Sequence, residues 1–324
     1  MAAGSLLIGD IGGTNARFAL ARDDAAGFDK ALTLSCADFA TAEIAIAEYL
    51  KRTGAAEPRV ICIAAAGPVV DNRVRFTNNH WTLSCRDLAE DFKTERVRLL
   101  NDFEAIAYSI PCFGADDCVP AGLLPVSNLR DRDFTVGIVG PGTGLGAAGL
   151  LCRDGALIPI VGEGGHVGFA PESQLQMQLL STLRDQFDRV SDERLVSGPG
   201  LENIYEALVG LHGEKPIFAT AKEIFTRAAA NEDVRANEAL QLFYEILGQV
   251  AGNLALTLGA ADGVYIAGGI VKRDPSLLAN SRFRSAFESK GRHRSLMERI
   301  PTQVIVHPEP GLLGASYVAL KMLD

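Results

Sequence analysis

A glycine-rich turn near the N-terminus carries the first residues whose types suggest chemistry. Apolar runs flank residues 9–17, which include Asp10, Gly12, Gly13 and Thr14. Two strands joined by this turn would expose backbone N–H groups and a threonine hydroxyl, a combination that favours anion binding. A carboxylate repels an anion unless a cation lies between them. The presence of Asp10 beside a predicted anion site therefore indicates a bound cation, for which Mg²⁺ is the usual candidate. The simpler alternative is a tight hairpin whose glycines serve only the turn geometry.

Two further glycine-rich turns follow apolar runs, at residues 140–146 and 267–269. Three such turns in two similar halves of the chain predict a nucleotide that lies across a cleft and is contacted from both sides. The P-loop signature does not occur. Residues 142–147 match the dinucleotide fingerprint G-x-G-x-x-A, but a turn follows directly after residues 147–152. Because a βαβ crossover needs about a dozen residues, that segment fits a strand better than a helix.

Asn101 and Asp102 follow an apolar run at the predicted carboxyl end of a buried strand. Ligands of open α/β sheets collect at such ends. An N-cap for the predicted helix 103–110 is one interpretation of Asn101-Asp102. A second interpretation is compatible with the first. An aspartate held there could accept a proton from a substrate hydroxyl, as the general base of a phosphoryl transfer does.

Glu163 and His166 are embedded in glycines after another apolar run. A metal site is one alternative, but no cysteine or second histidine follows within residues 167–171. A loop with an incidental charge is another. The functional interpretation is a backbone close to a polyhydroxylated ligand, whose hydroxyl groups bond to the two side chains. Glu193 would by itself be an acid near a helix start, favoured by the helix dipole.

The alternation of apolar runs predicts an α/β protein with two similar halves. Residues 111–132, rich in Gly, Asp and Pro, are predicted to cross from one domain to the other. Strands are predicted at residues 31–35, 59–65, 97–100, 134–139, 147–152 and 304–306, and helices at 41–53, 103–110, 173–187 and 237–258.

Composition excludes some classes of partner. The 324 residues carry a net charge of −9 and are 48% hydrophobic and 22% charged. An acidic chain argues against nucleic acid or an anionic membrane as the main partner. The six cysteines form no C-x-x-C pair, which favours reduced thiols in the cytoplasm over disulfides. We identify no secretory signal and no apolar run long enough to span a bilayer.

Taken together and in order, these motifs resemble those of the bacterial glucokinase family. The resemblance covers almost the whole chain, and the combination is specific although each piece is not. The matching segments are residues 9–17, 101–103, 140–146, 162–167, 193 with 197–200, and 267–271.

The resemblance implies an α/β, actin-like ATPase (RNase H-like) fold with two domains around a cleft. A small domain would comprise residues 1–111 and 303–324, and a large domain residues 112–302. It also implies a cytoplasmic homodimer of glycolysis that transfers phosphate from ATP to the 6-hydroxyl of glucose, with Mg²⁺. Asp102 would be the general base.

The resemblance also implies roles for the other residues that match the family's motifs. The sugar would be bound by Asn101, Asp102, Glu163, His166 and Glu193. The nucleotide would be bound by Gly9, Asp10, Ile11, Gly12, Gly13, Thr14, Gly142, Thr143, Gly144, Gly268 and Gly269, with Asp10 reaching the metal through water.

One departure separates the chain from related sugar kinases and repressors. The segment after His166 lacks their cysteine-rich zinc motif, so we expect no structural zinc. Two alternatives remain open at this point. The chain could be another hexose or amino-sugar kinase of the same fold, or a non-catalytic nucleotide- or sugar-binding sensor. The turns also do not separate ATP from ADP or polyphosphate as the donor.

Overall fold

Two separate sheets organise the chain. The computed structural model describes residues 4–76 and 78–323, which divide into a first unit of residues 4–114 and 307–323 and a second unit of residues 115–306. The strands are β1 (Ser5–Ile11), β2 (Asn15–Ala21), β3 (Phe28–Ser35), β4 (Pro58–Ala65), β5 (Arg73–Arg75), β6 (Thr82–Ser84), β7 (Val97–Asn101), β8 (Cys118–Pro120), β9 (Phe134–Pro141), β10 (Leu145–Arg153), β11 (Ala156–Gly162), β12 (Val264–Ile266) and β13 (Thr302–Ile305).

The α-helices lie between these strands, except for the last helix, which follows β13. They are α1 (Ala42–Thr53), α2 (Cys85–Phe92), α3 (Asp102–Ser109), α4 (Gln174–Arg184), α5 (Gly198–Leu211), α6 (Ala221–Ala229), α7 (Val234–Leu258), α8 (Gly269–Lys272), α9 (Pro275–Ala279), α10 (Phe283–Glu288), α11 (Arg294–Met297) and α12 (Pro310–Lys321). None of the helices in the described segments has the length and apolar character that crossing a bilayer requires.

The first unit contains a mixed five-stranded sheet in the order β3-β2-β1-β4-β7. β1 pairs antiparallel with β2 and parallel with β4, and β4 pairs parallel with β7. Ile11, Ala65 and Asn101 lie in register at the carboxyl ends of the three parallel strands. β1 and β4 are largely apolar and buried, and α12 packs on both, as is usual for parallel strands that helices cover.

The second unit contains a six-stranded sheet in the order β11-β10-β9-β12-β13-β8. β9 is buried along its whole length, which explains its continuous apolar run. The long helix α7 packs on this strand, and a Cβ at Gly137 would lie 3.3 Å from Leu254. β11 forms one edge of the sheet, because it pairs only with β10 among the described strands.

The two sheets share one topology. In each, an antiparallel three-stranded meander is followed by two parallel strands, β3-β2-β1-β4-β7 in the first and β11-β10-β9-β12-β13 in the second. This agrees with the internal repeat predicted from the two glycine-rich hairpins. The predicted strand at residues 147–152 is part of β10, so the dinucleotide-binding alternative lacks its helix.

The boundary predicted at residue 303 falls inside β13. This strand pairs with β12 and β8, so residues 303–306 lie in the second unit. The reason is that the pairing partners of a strand, rather than the run of the chain, decide to which sheet it belongs.

Candidate active site

The parallel strands of the first sheet bring two carboxylates to one edge. Asp10 is the penultimate residue of β1, and Asp102 follows directly after β7, two strands away in the sheet. Neighbouring strands lie about 4.8 Å apart, so the ends of β1 and β7 are separated by about 10 Å across the sheet. The negative charge of Asp102 is one of the influences that raise the pKa of Asp10, so the two side chains share one environment.

Asp10 is a partly buried carboxylate whose surroundings disfavour its charged form and so raise its pKa. Burial raises its pKa to about 6, Asp102 and Glu309 act in the same direction, and Arg17 opposes them. Arg17 lies opposite Asp10 in the β1–β2 ladder, and its Nε is 3.3 Å from Glu309 Oε1. The carboxylate faces the first turn of α12, where a Cβ at Gly311 would lie 2.9 Å from Oδ2.

Asn101 is the N-cap of α3. Its Oδ1 accepts hydrogen bonds from Phe103 N–H at 2.9 Å and Glu104 N–H at 3.3 Å, and the Glu104 side chain accepts from the Asn101 N–H. Its Nδ2 donates to the Gly67 carbonyl at 3.1 Å. The capping interpretation is therefore confirmed, and any bond to a sugar would use the remaining Nδ2 hydrogen.

Asp102 is the first residue of α3 and is partly exposed. Its Oδ1 accepts a hydrogen bond from Phe103 N–H at 3.0 Å. This contact, together with the helix cap, restricts the orientation of the carboxylate. The arrangement holds a hydrogen-bond acceptor at the carboxyl edge of the sheet, where a substrate hydroxyl could reach it.

The first glycine turn presents backbone N–H groups at Gly13 and Thr14. Gly12 N–H donates to the Asn15 carbonyl at 2.9 Å, and the Gly12 carbonyl accepts from Asn79 Nδ2 at 3.3 Å. Within residues 4–76 and 78–323, the N–H groups of Gly13 and Thr14 have no hydrogen-bond partner, and Thr14 is exposed. Two adjacent donors of this kind can bind a phosphate oxygen.

Backbone conformation does not account for the glycines of this turn. Neither Gly12 nor Gly13 has a positive φ, so the turn does not need left-handed backbone. At Gly13 the requirement is space, because a Cβ would lie 3.0 Å from the Cβ of Asn78. Gly9 lies within β1 against the ring of Phe18, and Ile11 is fully buried, so these two residues pack in the sheet.

The second glycine turn is held from both ends. Gly142 N–H donates to the Gly144 carbonyl at 2.8 Å, and Thr143 lies between these two residues. The Gly142 carbonyl accepts from Gly198 N–H at 2.8 Å, and Leu145 N–H donates to Glu193 Oε2 at 2.9 Å. Residues far apart in sequence thus define the shape of the turn.

The third glycine turn lies against the second. Gly268 has a φ of 96°, and a Cβ at this position would overlap the carbonyl oxygen of Pro141. Glycine is required there for both reasons. Gly269 then begins α8. The structure therefore brings the turns at 142–144 and 267–269 together within the second unit.

Glu193 and His166 meet in the second unit. His166 Nδ1 is 4.0 Å from Glu193 Oε1, and both side chains are partly exposed. Glu163 precedes the short 3₁₀-helix Gly164–His166 and is exposed, with no side-chain hydrogen bond inside the described ranges. A Cβ at Gly165 would overlap the Leu145 carbonyl oxygen, so glycine is required here for the backbone to pack against β10.

Several residues around the site were not identified from the sequence. Arg17, Glu309 and Gly311 surround Asp10, and Asp192 is a buried carboxylate beside Glu193. A period-two pattern in the first hairpin could have placed Arg17 opposite Asp10. No local signal could have found Glu309 and Gly311, which are about 300 residues away in sequence.

Among the described residues, the carboxylates do not form a protein-only metal cage. Within the described part of the chain, no group of three or more His, Cys, Asp or Glu side chains is arranged to hold a metal ion. Mg²⁺ commonly binds to one or two carboxylates and completes its coordination with water and substrate phosphates. Asp10, whose carboxylate accepts no hydrogen bond from the described residues, fits that kind of site.

Comparison with known proteins gives concordant matches along the chain. The family model described as Glucokinase matches residues 7–322. A curated glucokinase of Marinobacter nauticus is 40% identical over 310 residues, which cover 96% of this chain and 95% of the relative. A crystal structure of a glucokinase from an Antarctic psychrotroph superposes with a TM-score of 0.86 at 33% identity, covering 96% and 97% of the two chains.

A more distant structure shares the fold. A ROK family glucokinase from Streptomyces griseus, solved in complex with glucose and AMPPNP, has a TM-score of 0.63 at 20% identity and covers 97% of this chain and 99% of its own.

Proposed function

Since this chain belongs to the glucokinase family and catalyses the ATP-dependent phosphorylation of glucose, we propose that Asp102 is its general base. The observation that carries the assignment is the position of Asp102 at the carboxyl edge of the first sheet, beside Asp10. Asp102 would accept the proton of the 6-hydroxyl as that oxygen attacks the γ-phosphorus of ATP. The products are glucose 6-phosphate and ADP.

We assign the phosphate contacts of ATP to the turns at residues 12–14 and 142–144. The support is the pair of N–H groups at Gly13 and Thr14, which have no hydrogen-bond partner among the described residues, and the tightly held backbone of the second turn. Gly268 and Gly269 are assigned to the neighbourhood of the adenosine, because their turn adjoins Pro141. Backbone donors suit this task because their positions are already fixed before the substrate binds.

Mg²⁺ is the metal that we propose for the reaction, with Asp10 as its protein partner through water. When bound, Mg²⁺ neutralises charge on the phosphate oxygens. The chain's own contribution is to keep Asp10 at the sheet edge, opposite Arg17 and against Gly311. The raised pKa of about 6 still leaves Asp10 mostly ionised at neutral pH, when it can attract the cation.

The sugar contacts are assigned to Asn101, Asp102, Glu163, His166 and Glu193. Carboxylates, an amide and an imidazole can accept from or donate to neighbouring sugar hydroxyls. The proximity of His166 to Glu193 supports the assignment of these two residues to one ligand. Binding of the hydroxyls by several fixed groups orients the 6-hydroxyl toward the base, which lowers the entropic part of the barrier.

We further propose a cytoplasmic homodimer that acts in glycolysis. All six cysteines are free, which agrees with a reducing compartment. The edge strand β11 exposes Ile158, Ile160 and Val161, an apolar surface that supports an interface with a second copy.

The proposed reaction can be tested with a coupled assay that contains ATP, Mg²⁺ and a panel of hexoses. Glucose is expected to be the preferred acceptor, and the product should be the 6-phosphate by NMR. ADP and polyphosphate serve as alternative donors in parallel reactions. No turnover of glucose alongside good turnover of mannose or fructose would contradict the assigned specificity.

A further inference from the structure

Glu193 contacts the turn that we assign to phosphate binding. Its Oε2 accepts from Leu145 N–H at 2.9 Å and lies so close to Gly144 that a Cβ there would overlap it. The other oxygen, Oε1, lies 4.0 Å from His166 Nδ1. One carboxylate therefore reaches both the turn and a histidine that we assign to the sugar.

The segment that carries Glu193 also holds the other end of the turn. Gly198 N–H donates to the Gly142 carbonyl at 2.8 Å, and Ser197 Oγ donates to the Glu193 carbonyl at 2.7 Å. Ser197 is in turn the N-cap of α5. The position of Glu193 is thus coupled to the shape of the turn by short hydrogen bonds.

A negative charge at this place has an electrostatic consequence. The Glu193 side chain is only 30% exposed, so water screens its charge incompletely. Its Oε2 would repel phosphate oxygens that approach the N–H groups of the turn. Hydrogen bonds from sugar hydroxyls to Oε1 would draw electron density from the carboxylate and weaken that repulsion.

We propose that Glu193 couples the two substrates: its carboxylate disfavours nucleotide phosphates at the 142–144 turn until glucose hydroxyls bond to Oε1. This inference rests on the proposed roles of the turn and of the sugar residues. It makes Glu193 a positioning residue of the nucleotide turn in addition to a ligand of the sugar. The consequence is that glucose strengthens ATP binding, and that hydrolysis of ATP without glucose is suppressed.

The test is the affinity for AMPPNP with and without glucose in wild type and Glu193→Gln, measured by calorimetry. Glutamine retains an oxygen for Leu145 N–H and removes the charge. Without glucose, the variant is expected to bind AMPPNP about fivefold to tenfold more tightly than wild type, and its glucose-free ATP hydrolysis should rise. Saturating glucose should tighten AMPPNP binding in wild type and leave the variant unchanged.

Two control variants separate charge from loosening of the turn. Glu206→Gln removes the same charge from an exposed position of α5 and should behave as wild type. Ser197→Ala removes two hydrogen bonds, one to the Glu193 carbonyl and one from Gly200 N–H, without changing charge, so it should weaken AMPPNP binding rather than strengthen it. Unchanged or weaker AMPPNP binding by Glu193→Gln without glucose would overturn the proposal.

Wild type provides a test that needs no variant. If glucose leaves the AMPPNP affinity of wild type unchanged, the coupling does not exist, even where glucose is phosphorylated. Failure to phosphorylate glucose at all would instead contradict the proposed function. The two failures are therefore distinguishable.

Discussion

Two carboxylates at one sheet edge have different surroundings, and this difference suggests different tasks. Asp10 is enclosed by β1, β2 and the start of α12, which raises its pKa to about 6. Asp102 lies on the first turn of α3 and is partly exposed, where a substrate can reach it. We therefore assign the metal to Asp10 and the proton transfer to Asp102.

Asp102→Asn tests the proton transfer. The amide has nearly the same shape but cannot accept the proton, so kcat is expected to fall by a factor of about 10² to 10⁴ while glucose still binds. Glucose affinity is measured by calorimetry and turnover by the coupled assay. Asp87→Asn, the same change at an exposed position in the first turn of α2, is the matched control. Turnover of Asp102→Asn close to that of wild type would remove Asp102 as the base.

Asp192 is a buried carboxylate whose side chain the proposed mechanism does not use. Its N–H donates to the Val167 carbonyl at 2.9 Å, so the backbone at this position links the histidine segment to the Glu193 segment. Burial raises the pKa of Asp192 to about 7, and the charge of Arg189 only partly opposes this. The folded state therefore holds this proton more tightly than the unfolded chain, for which the reference pKa is 3.8.

Stability should consequently fall as pH rises through the window from about 4 to 7, because only the unfolded chain readily releases the proton. Above pH 7 the penalty is constant. Asp192→Asn removes it, so the variant is expected to be more stable than wild type by about 2–4 kcal/mol at pH 8, with little difference at pH 4. Urea unfolding at the two pH values measures this. The exposed Asp188→Asn serves as control, and parallel pH profiles for Asp192→Asn and wild type would contradict the prediction.

Among the helices, α12 packs most closely on its neighbours in the first unit. It contacts α3, β1 and β4, and its start lies against Asp10. The close contact with α3 depends on Gly314, where a Cβ would overlap the Ala105 carbonyl oxygen. A small residue at this position lets the backbones of α12 and α3 approach closely. This close packing helps to position the start of α12, which lies against Asp10.

Gly314→Ala is expected to destabilise the protein by about 2 kcal/mol or more, although alanine has the higher helix propensity. Gly210→Ala is the matched control, because Gly210 lies in α5 and a Cβ there would meet no atom within 4 Å. That variant should gain about 0.5–1 kcal/mol. Denaturant unfolding measures both, and equal effects of the two substitutions would show that backbone approach at Gly314 is not limiting.

At the scale of the whole molecule, one topology occurs in both units, and the likeness to solved glucokinases confirms the predicted actin-like ATPase fold. In each sheet the outermost strand of the antiparallel meander lies at the sheet edge. This strand is β3 in the first sheet and β11 in the second. β11 is the more apolar of these edges, with Ile158 49% and Ile160 41% exposed. Pro159 lacks an N–H, so we expect a partner to pack on these side chains rather than to extend the sheet.

Ile160→Asp is expected to convert the proposed homodimer to a monomer, because a charge would be buried in an apolar contact. Multi-angle light scattering measures the mass of each variant. Leu123→Asp, at a fully exposed leucine, makes the same change elsewhere and should leave the mass unchanged. A wild-type monomer, or a dimer that persists in Ile160→Asp, would contradict this interface.

The sequence by itself determined the features that depend on neighbours along the chain. The glycine turns, the N-cap at Asn101, the strand at 147–152 and the membership of the family could all be predicted, because turns, caps and periodicity are local. The tertiary structure decided the contacts between distant segments. Leu145 meets Glu193 across 48 residues of sequence, and Asp10 meets Gly311 near the other end of the chain. Such contacts depend on the pairing of strands and the packing of helices, which no local pattern specifies, and they set the charge and shape of the site.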